Sequence, residues 1–251
     1  MIAPLNLSSI VLLALFVVSL NAQTSINITD AKGKKQGFWK KDYPNGKLRY
    51  EGSFKDDNPT GIFKYYQETG ELKMVCFNSQ NGQKSECKAY DVKGLLISEG
   101  NYFNKQKDSV WTYYNDKKQV ISRESYTKGV KSGLWFIYYE NGQISEEVPW
   151  KNGKREGPWK QFYEDGKPSL TATYSKDKLQ GKITYFYNNG KDKLVGKYKD
   201  DVRDGIWYYF EENGNLKEQE IYKNGISDKP DLKKFEKLDK PESEILRQNN
   251  E

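Results

Sequence analysis

Residues 133–156 read GLWFIYYENGQISEEVPWKNGKRE. An aromatic and β-branched run from Trp135 leads to Asn141-Gly142, and a second run ends in Trp150 just before Asn152-Gly153. Asn-Gly between such runs is the strongest short-range hairpin signal, because a type I′ turn needs positive φ at both central residues. The stretch therefore reads as one β-hairpin followed by a tight turn into the next. It recurs every 24 residues without insertion: Gly37, Gly61, Ser85, Ser109, Gly133, Gly157, Gly181 and Gly205 lead the repeats. The turn position, nine residues later, holds Gly46, Gly70, Gly94, Lys118, Gly142, Gly166, Gly190 and Gly214. Eight units in one phase define a repeat array and not a domain with a unique core. The fold expected is all-β: an elongated single-layer antiparallel sheet of repeated hairpins over 37–228. A half repeat precedes it in 23–36, and a short cap follows in the charged tail 229–251, where Asp231 to Leu238 has helical spacing and Pro230 stops the ladder.

A two-residue turn at positions eight and nine fixes which residues face each other. Trp39 falls opposite Gly52, Trp135 opposite Val148 and Trp159 opposite Ala172, so the repeat-defining indoles Trp39, Trp111, Trp135, Trp159 and Trp207 lie over small neighbours in most units. Rings lying flat on small residues cover backbone that no second layer protects. Alternation puts positions two, four and six on one face, with Leu48, Leu72, Leu96, Val120, Ile144 and Leu216 beside them. Position five falls on the other face, where Tyr66, Tyr90, Tyr114, Tyr138, Phe162, Phe186 and Phe210 form a row flanked by position twelve. That row reads either as cross-strand packing or as a docking surface.

Cys76 and Cys87 are the only cysteines. They sit symmetrically about Asn81-Gly82, in slots where other repeats place a small residue and a ring, as Gly52 and Phe63 or Gly196 and Trp207. A disulfide would replace the ring-over-glycine contact there; the alternative is two reduced, buried thiols.

The chain has 251 residues, 35% hydrophobic and 30% charged, with 19 Tyr, 11 Phe and 6 Trp. That balance suits half-exposed strands better than a thick core. The net charge of +6 comes from 41 basic and 35 acidic residues that are interspersed, unlike the clustered footprint of a nucleic-acid binder. Residues 1–22 carry no charged side chain and hold an apolar run from Ile10 to Leu20. As a helix it would span about half a bilayer core, which fits a signal peptide and not a membrane span. Cleavage between Ala22 and Gln23 is expected. It would release an exported protein, periplasmic or extracellular, with no transmembrane segment.

The pattern Gly-x-Trp-x-x-Tyr-Tyr-x-x-Gly, then Glu-x-x-Tyr-x-x-Gly-x-x-x-Gly, is carried best by Gly133 to Glu156, Gly157 to Gly166 and Gly205 to Gly225. It resembles the MORN repeat variant of bacterial proteins of the YwqK-like antitoxin family. The resemblance implies a sheet array serving as a scaffold, a lipid-associated module or an immunity partner. Chemistry is not expected. The absence of His removes the commonest general base and metal ligand. Carboxylate pairs such as Glu146-Glu147 and Glu211-Glu212 point to opposite strand faces or lie in turns. The expectation is a non-enzyme without metal or cofactor that binds a protein partner, including immunity against a secreted toxin. The alternative is an envelope-surface binder using Tyr and Lys rows on glycans or anionic headgroups. A hydrolase with an unrecognised site would need a cleft that a flat sheet does not offer.

Overall fold

The computed structural model describes residues 25–228. The expected cleavage site at Ala22–Gln23 and the expected cap within 229–251 lie outside the described residues. Within them the chain forms one long, open antiparallel sheet of 22 strands, in which the two-residue strands Val130–Lys131, Lys154–Arg155, Lys178–Leu179 and Val202–Arg203 are each continued along the same neighbour by the strand that follows. The half repeat adds its strand: Ile28–Thr29 pairs with Lys35–Asp42, and the Asn27 N–H extends the ladder to the Phe38 carbonyl at 2.9 Å.

In the repeat from Gly133, strand Gly133–Tyr138 pairs with Ile144–Lys151, setting Trp135 opposite Val148 and Gly133 opposite Trp150. Trp39 faces Gly52 and Trp159 faces Ala172 in the same way. The turn that produces this register is not the one expected. The Tyr139 N–H donates to the Gln143 carbonyl and the Gly142 N–H to the Tyr139 carbonyl, both at 2.9 Å. Gly142 is left-handed at φ 83°, while Asn141 is not. This is a three-residue loop, a type I turn closed by a left-handed glycine, and not a type I′ pair. Asn141 acts through its side chain: Oδ1 accepts the Gln143 N–H at 2.9 Å, and Nδ2 donates to the Glu164 carbonyl of the next repeat at 3.0 Å. The extra loop residue is absorbed by a bulge at Ser145, where partners step from Ile137–Glu146 to Tyr138–Ile144. Beyond the bulge the register equals that of a two-residue turn, so the expected pairs form.

The bulge corrects a second expectation. Leu72 faces Tyr66, Leu96 faces Tyr90 and Ile144 faces Tyr138. Direct partners in an antiparallel ladder share a face. The aliphatic residues of position eleven therefore flank the position-five row and not the indoles. Position twelve, as the bulged residue, leaves that row, and Lys193 stands over the Tyr187 ring at 5.6 Å.

Between repeats, Asn152-Gly153 is a type I′ turn with φ 52° and 79°. Partners then step by two residues, from Trp150–Arg155 to Glu147–Lys160, and Gly157 in the step is left-handed at φ 113°. Serine occupies the same place at 109 with φ 60°. A side chain held left-handed costs about 1 kcal/mol. Ser109→Gly is therefore expected to raise the urea unfolding free energy by about that amount; an unchanged or lower midpoint would contradict the strain. After Asn81-Gly82 the turn sits one residue later, and the ladder runs from Met74–Ala89 to Ser79–Lys84 without a step. Ser85 is spared the left-handed conformation, and Cys76 faces Cys87 in a disulfide.

The core is a file of flat rings on one side of the sheet. Trp207 is 0% exposed, although the described residues form no second layer over it. A Cβ on Gly196 would lie 2.1 Å from the indole, so the ring rests on that glycine's backbone. Tyr198 and Tyr222 wall it at 5.2 and 5.9 Å, and the Arg203 guanidinium caps it at 4.4 Å. Trp111 repeats the arrangement on Gly100, with Tyr102 at 4.9 Å and Lys107 at 4.6 Å. Phe63 lies likewise on Gly52. Each ring thus covers position fifteen of the preceding repeat, and the disulfide takes the place of that contact once.

Candidate functional site

The candidate binding row lies on the face opposite the indoles. The structure places Tyr66, Tyr90, Tyr114, Tyr138, Phe162, Phe186 and Phe210 along it, all half-buried. Part of this row is consumed by the fold. The hydroxyls of Tyr43, Tyr139 and Tyr187 donate to the carbonyls of Tyr66, Phe162 and Phe210 at 2.9, 2.6 and 2.7 Å, tying those three hairpin tips to the repeats that follow them.

Beside the row, position three of each repeat pairs with position fourteen on both sides, so one unbroken cross-strand file traverses the sheet. It runs Lys40, Glu51, Lys64, Val75, Lys88, Glu99, Thr112, Arg123, Phe136, Glu147, Lys160 and on to Tyr208 and Gln219. Every Glu in it has its cation: Glu51 lies 3.4 Å from Lys40 and 3.8 Å from Lys64, and Glu99 and Glu147 each lie 3.4 Å from Lys88 and Lys160. The row tyrosines add to these pairs. Tyr66 donates to Glu51 at 2.9 Å and Tyr114 to Glu99 at 2.5 Å.

Burial and those bonds together shift the titration of these groups. Burial, the hydrogen bond to Glu99 and that carboxylate's charge push Tyr114 up to about 12, with Arg123 opposing. Burial and Glu51 push Tyr66 up to about 12 as well. The Tyr114 hydroxyl, against burial and with help from Lys88, holds Glu99 below the usual carboxylate range. For the tyrosines, the folded value lies above the unfolded value of about 10, so their stabilisation is complete below that pH and is lost as pH rises toward about 12. For Glu99 it is present above about 4.3 and lost as pH falls. Tyr114→Phe is expected to raise the Glu99 pKa in a carbon-13 carboxyl titration and to flatten the alkaline loss of stability. An unmoved Glu99 would show that the bond does not form in solution.

Sequence reasoning missed the cations on the indole side. Each repeat-defining Trp has Lys or Arg four residues before it: Lys35, Lys107, Lys131, Arg155 and Arg203. Lys35 and Lys131 stand 4.8 and 4.7 Å over Trp39 and Trp135, and Arg155 stands 4.2 Å over the neighbouring Tyr174. Where Cys87 or Ile183 replaces the Trp, Gln83 and Leu179 replace the cation. That covariation inside one chain was the available signal. Among the described residues no three His, Cys, Asp or Glu side chains converge as a metal site.

The MORN repeat variant profile matches residues 35–56, 131–152, 155–176 and 203–224. Each matched segment begins on a capping cation, and these four segments are MORN-variant repeats. No curated protein matches the sequence. Solved structures with similarity include TarM, at 14% identity and TM-score 0.29 over 38% of this chain and 20% of that one. An S. aureus TarM mutant in complex with fondaparinux, α-GlcNAc-glycerol and UDP aligns at 12% identity and TM-score 0.21, over 56% of this chain and 20% of that one. TcdB2-TccC3 aligns at 12% identity and TM-score 0.21, over 79% of this chain and 12% of that one. The chain thus spans a fifth or less of each of these proteins.

Proposed function

We propose that the chain is an exported, non-catalytic scaffold that binds a protein partner, with antitoxin-like immunity as the specific form the repeat type suggests. The observation that carries this reading is the open sheet of MORN-variant repeats: its apolar rings are spent on one side, leaving an extended charged and aromatic face with no deep cleft among the described residues. Extended faces of repeat arrays suit protein partners. Export is supported by the Cys76–Cys87 disulfide, which fits an oxidising compartment. Among the described residues no helix is long and apolar enough to cross a membrane.

Co-purification of a stoichiometric protein from envelope extract is the expected result. Co-sedimentation with anionic liposomes or peptidoglycan, with no protein partner recovered, would replace this reading by that of an envelope-surface binder. The half-burial of the aromatic row leaves little ring face for stacking on glycans, which favours the protein partner.

A further inference from the structure

The central file closes every carboxylate and leaves one guanidinium open. Arg123 stands at position fourteen, where Glu51, Glu99 and Glu147 stand in other repeats, and its partners across the ladder are Thr112 and Phe136. The nearest acids of the file, Glu99 and Glu147, lie two strands away on either side, about 10 Å at ordinary strand spacing, and are held by Lys88 and Lys160. No carboxylate pairs with Arg123 among the described residues. Its one ring contact is Tyr138, 5.8 Å from the guanidinium carbon.

Next to it is an open surface cavity, a hollow of about 510 Å³ exposed to solvent, lined by Val120, Arg123, Tyr138 and the hairpin tip at Asn141. Glu140 also borders the cavity, but its carboxylate is engaged by Lys117 at 2.9 Å. An exposed Arg beside a Tyr at the middle of a long face is the composition of an interface hot spot. The guanidinium fork matches a carboxylate in two parallel hydrogen bonds.

We infer that Arg123, Tyr138 and this cavity form the anchoring point for an Asp or Glu side chain of the protein partner. The inference rests on the scaffold reading above and adds to it the chemistry of the contact: the partner supplies the acid missing from the file.

The test is selection of random displayed peptides on the immobilised full chain. Each recovered peptide is then synthesised in its acidic form and with Glu→Gln or Asp→Asn, and titrated into wild type, Arg123→Gln and Arg123→Lys. Recovered peptides are expected to share an acidic residue. Neutralising it, or Arg123→Gln, is expected to weaken binding about tenfold or more, as for a charged hydrogen bond, and combining both should add little further. Arg123→Lys should recover only part of the affinity, since it keeps the charge and loses the fork. Both variants should melt with wild type because the side chain is exposed.

Peptides that bind wild type and Arg123→Gln equally, or that lack an acid, would overturn the inference and leave the scaffold reading standing. Displacement of the peptide by inorganic phosphate but not by acetate at equal ionic strength would also overturn it, by assigning the site to phosphate. Recovery of no peptide at all would count against both.

Discussion

Replacing Trp135 by Ala is expected to cost about 4 kcal/mol, the usual range for a fully buried ring, and to divide unfolding of the array into two transitions. The ring is 2% exposed. It lies 4.9 Å from Trp150 and 5.4 Å from Tyr126, and its Nε1 donates to the Ser125 carbonyl at 2.9 Å. Lys131 caps both indoles, 4.7 Å from Trp135 and 4.3 Å from Trp150. All of these partners belong to the same repeat or to the end of the one before it, so the substitution weakens a single junction. In a quasi-one-dimensional array stability is the sum of unit and junction terms, and a weak junction in the middle uncouples the two halves. Calorimetry should show two peaks where wild type shows one, and amide exchange should accelerate first around residues 120–150. A single transition lowered by less than about 1 kcal/mol would mean that the ring is not the contact holding the repeats together.

Removal of the disulfide is the second large effect. Cys76 and Cys87 are 11 residues apart, and closing a loop of that length stabilises by about 3 kcal/mol in the chain-entropy account. The repeat that contains Cys87 has neither a leading glycine nor a Trp, so no ring replaces the lost link. The double variant Cys76→Ala/Cys87→Ala, like wild type with reductant, should unfold about 3 kcal/mol more easily in urea. The loss should begin at the junction between Leu72–Ser79 and Lys84–Tyr90. Wild type insensitive to reductant, with both thiols free after unfolding, would contradict the link.

Much of the architecture was legible because turn positions, most often holding Gly and in several units Asn-Gly, recur at a fixed period of 24 residues and fix the register. The opposition of Trp39 to Gly52 and of Cys76 to Cys87 needed only that arithmetic. What escaped was set by geometry that the same dipeptide leaves open. Asn141-Gly142 and Asn152-Gly153 are spelled alike, yet one forms a three-residue loop whose surplus is absorbed at Ser145 and the other a type I′ pair. Only the bulge moved Leu72 and Ile144 to the face of Tyr66 and Tyr138. The candidate row was placed on the correct strands, but its hydroxyl and carbonyl bonds, such as Tyr114 to Glu99, depend on contacts between repeats that spacing within one repeat does not reveal. Arg123 stood out only once the cross-strand file showed which charges already had partners.

Small-angle X-ray scattering on the full chain tests the open array most directly. Eight two-stranded repeats and a half repeat laid edge to edge extend about 80 Å at ordinary strand spacing, which implies a radius of gyration of about 23 Å or more. A compact domain of the described length would give about 17 Å. A rod-like profile at the larger value is the expected result, and a globular profile at the smaller one would contradict an open sheet of hairpins.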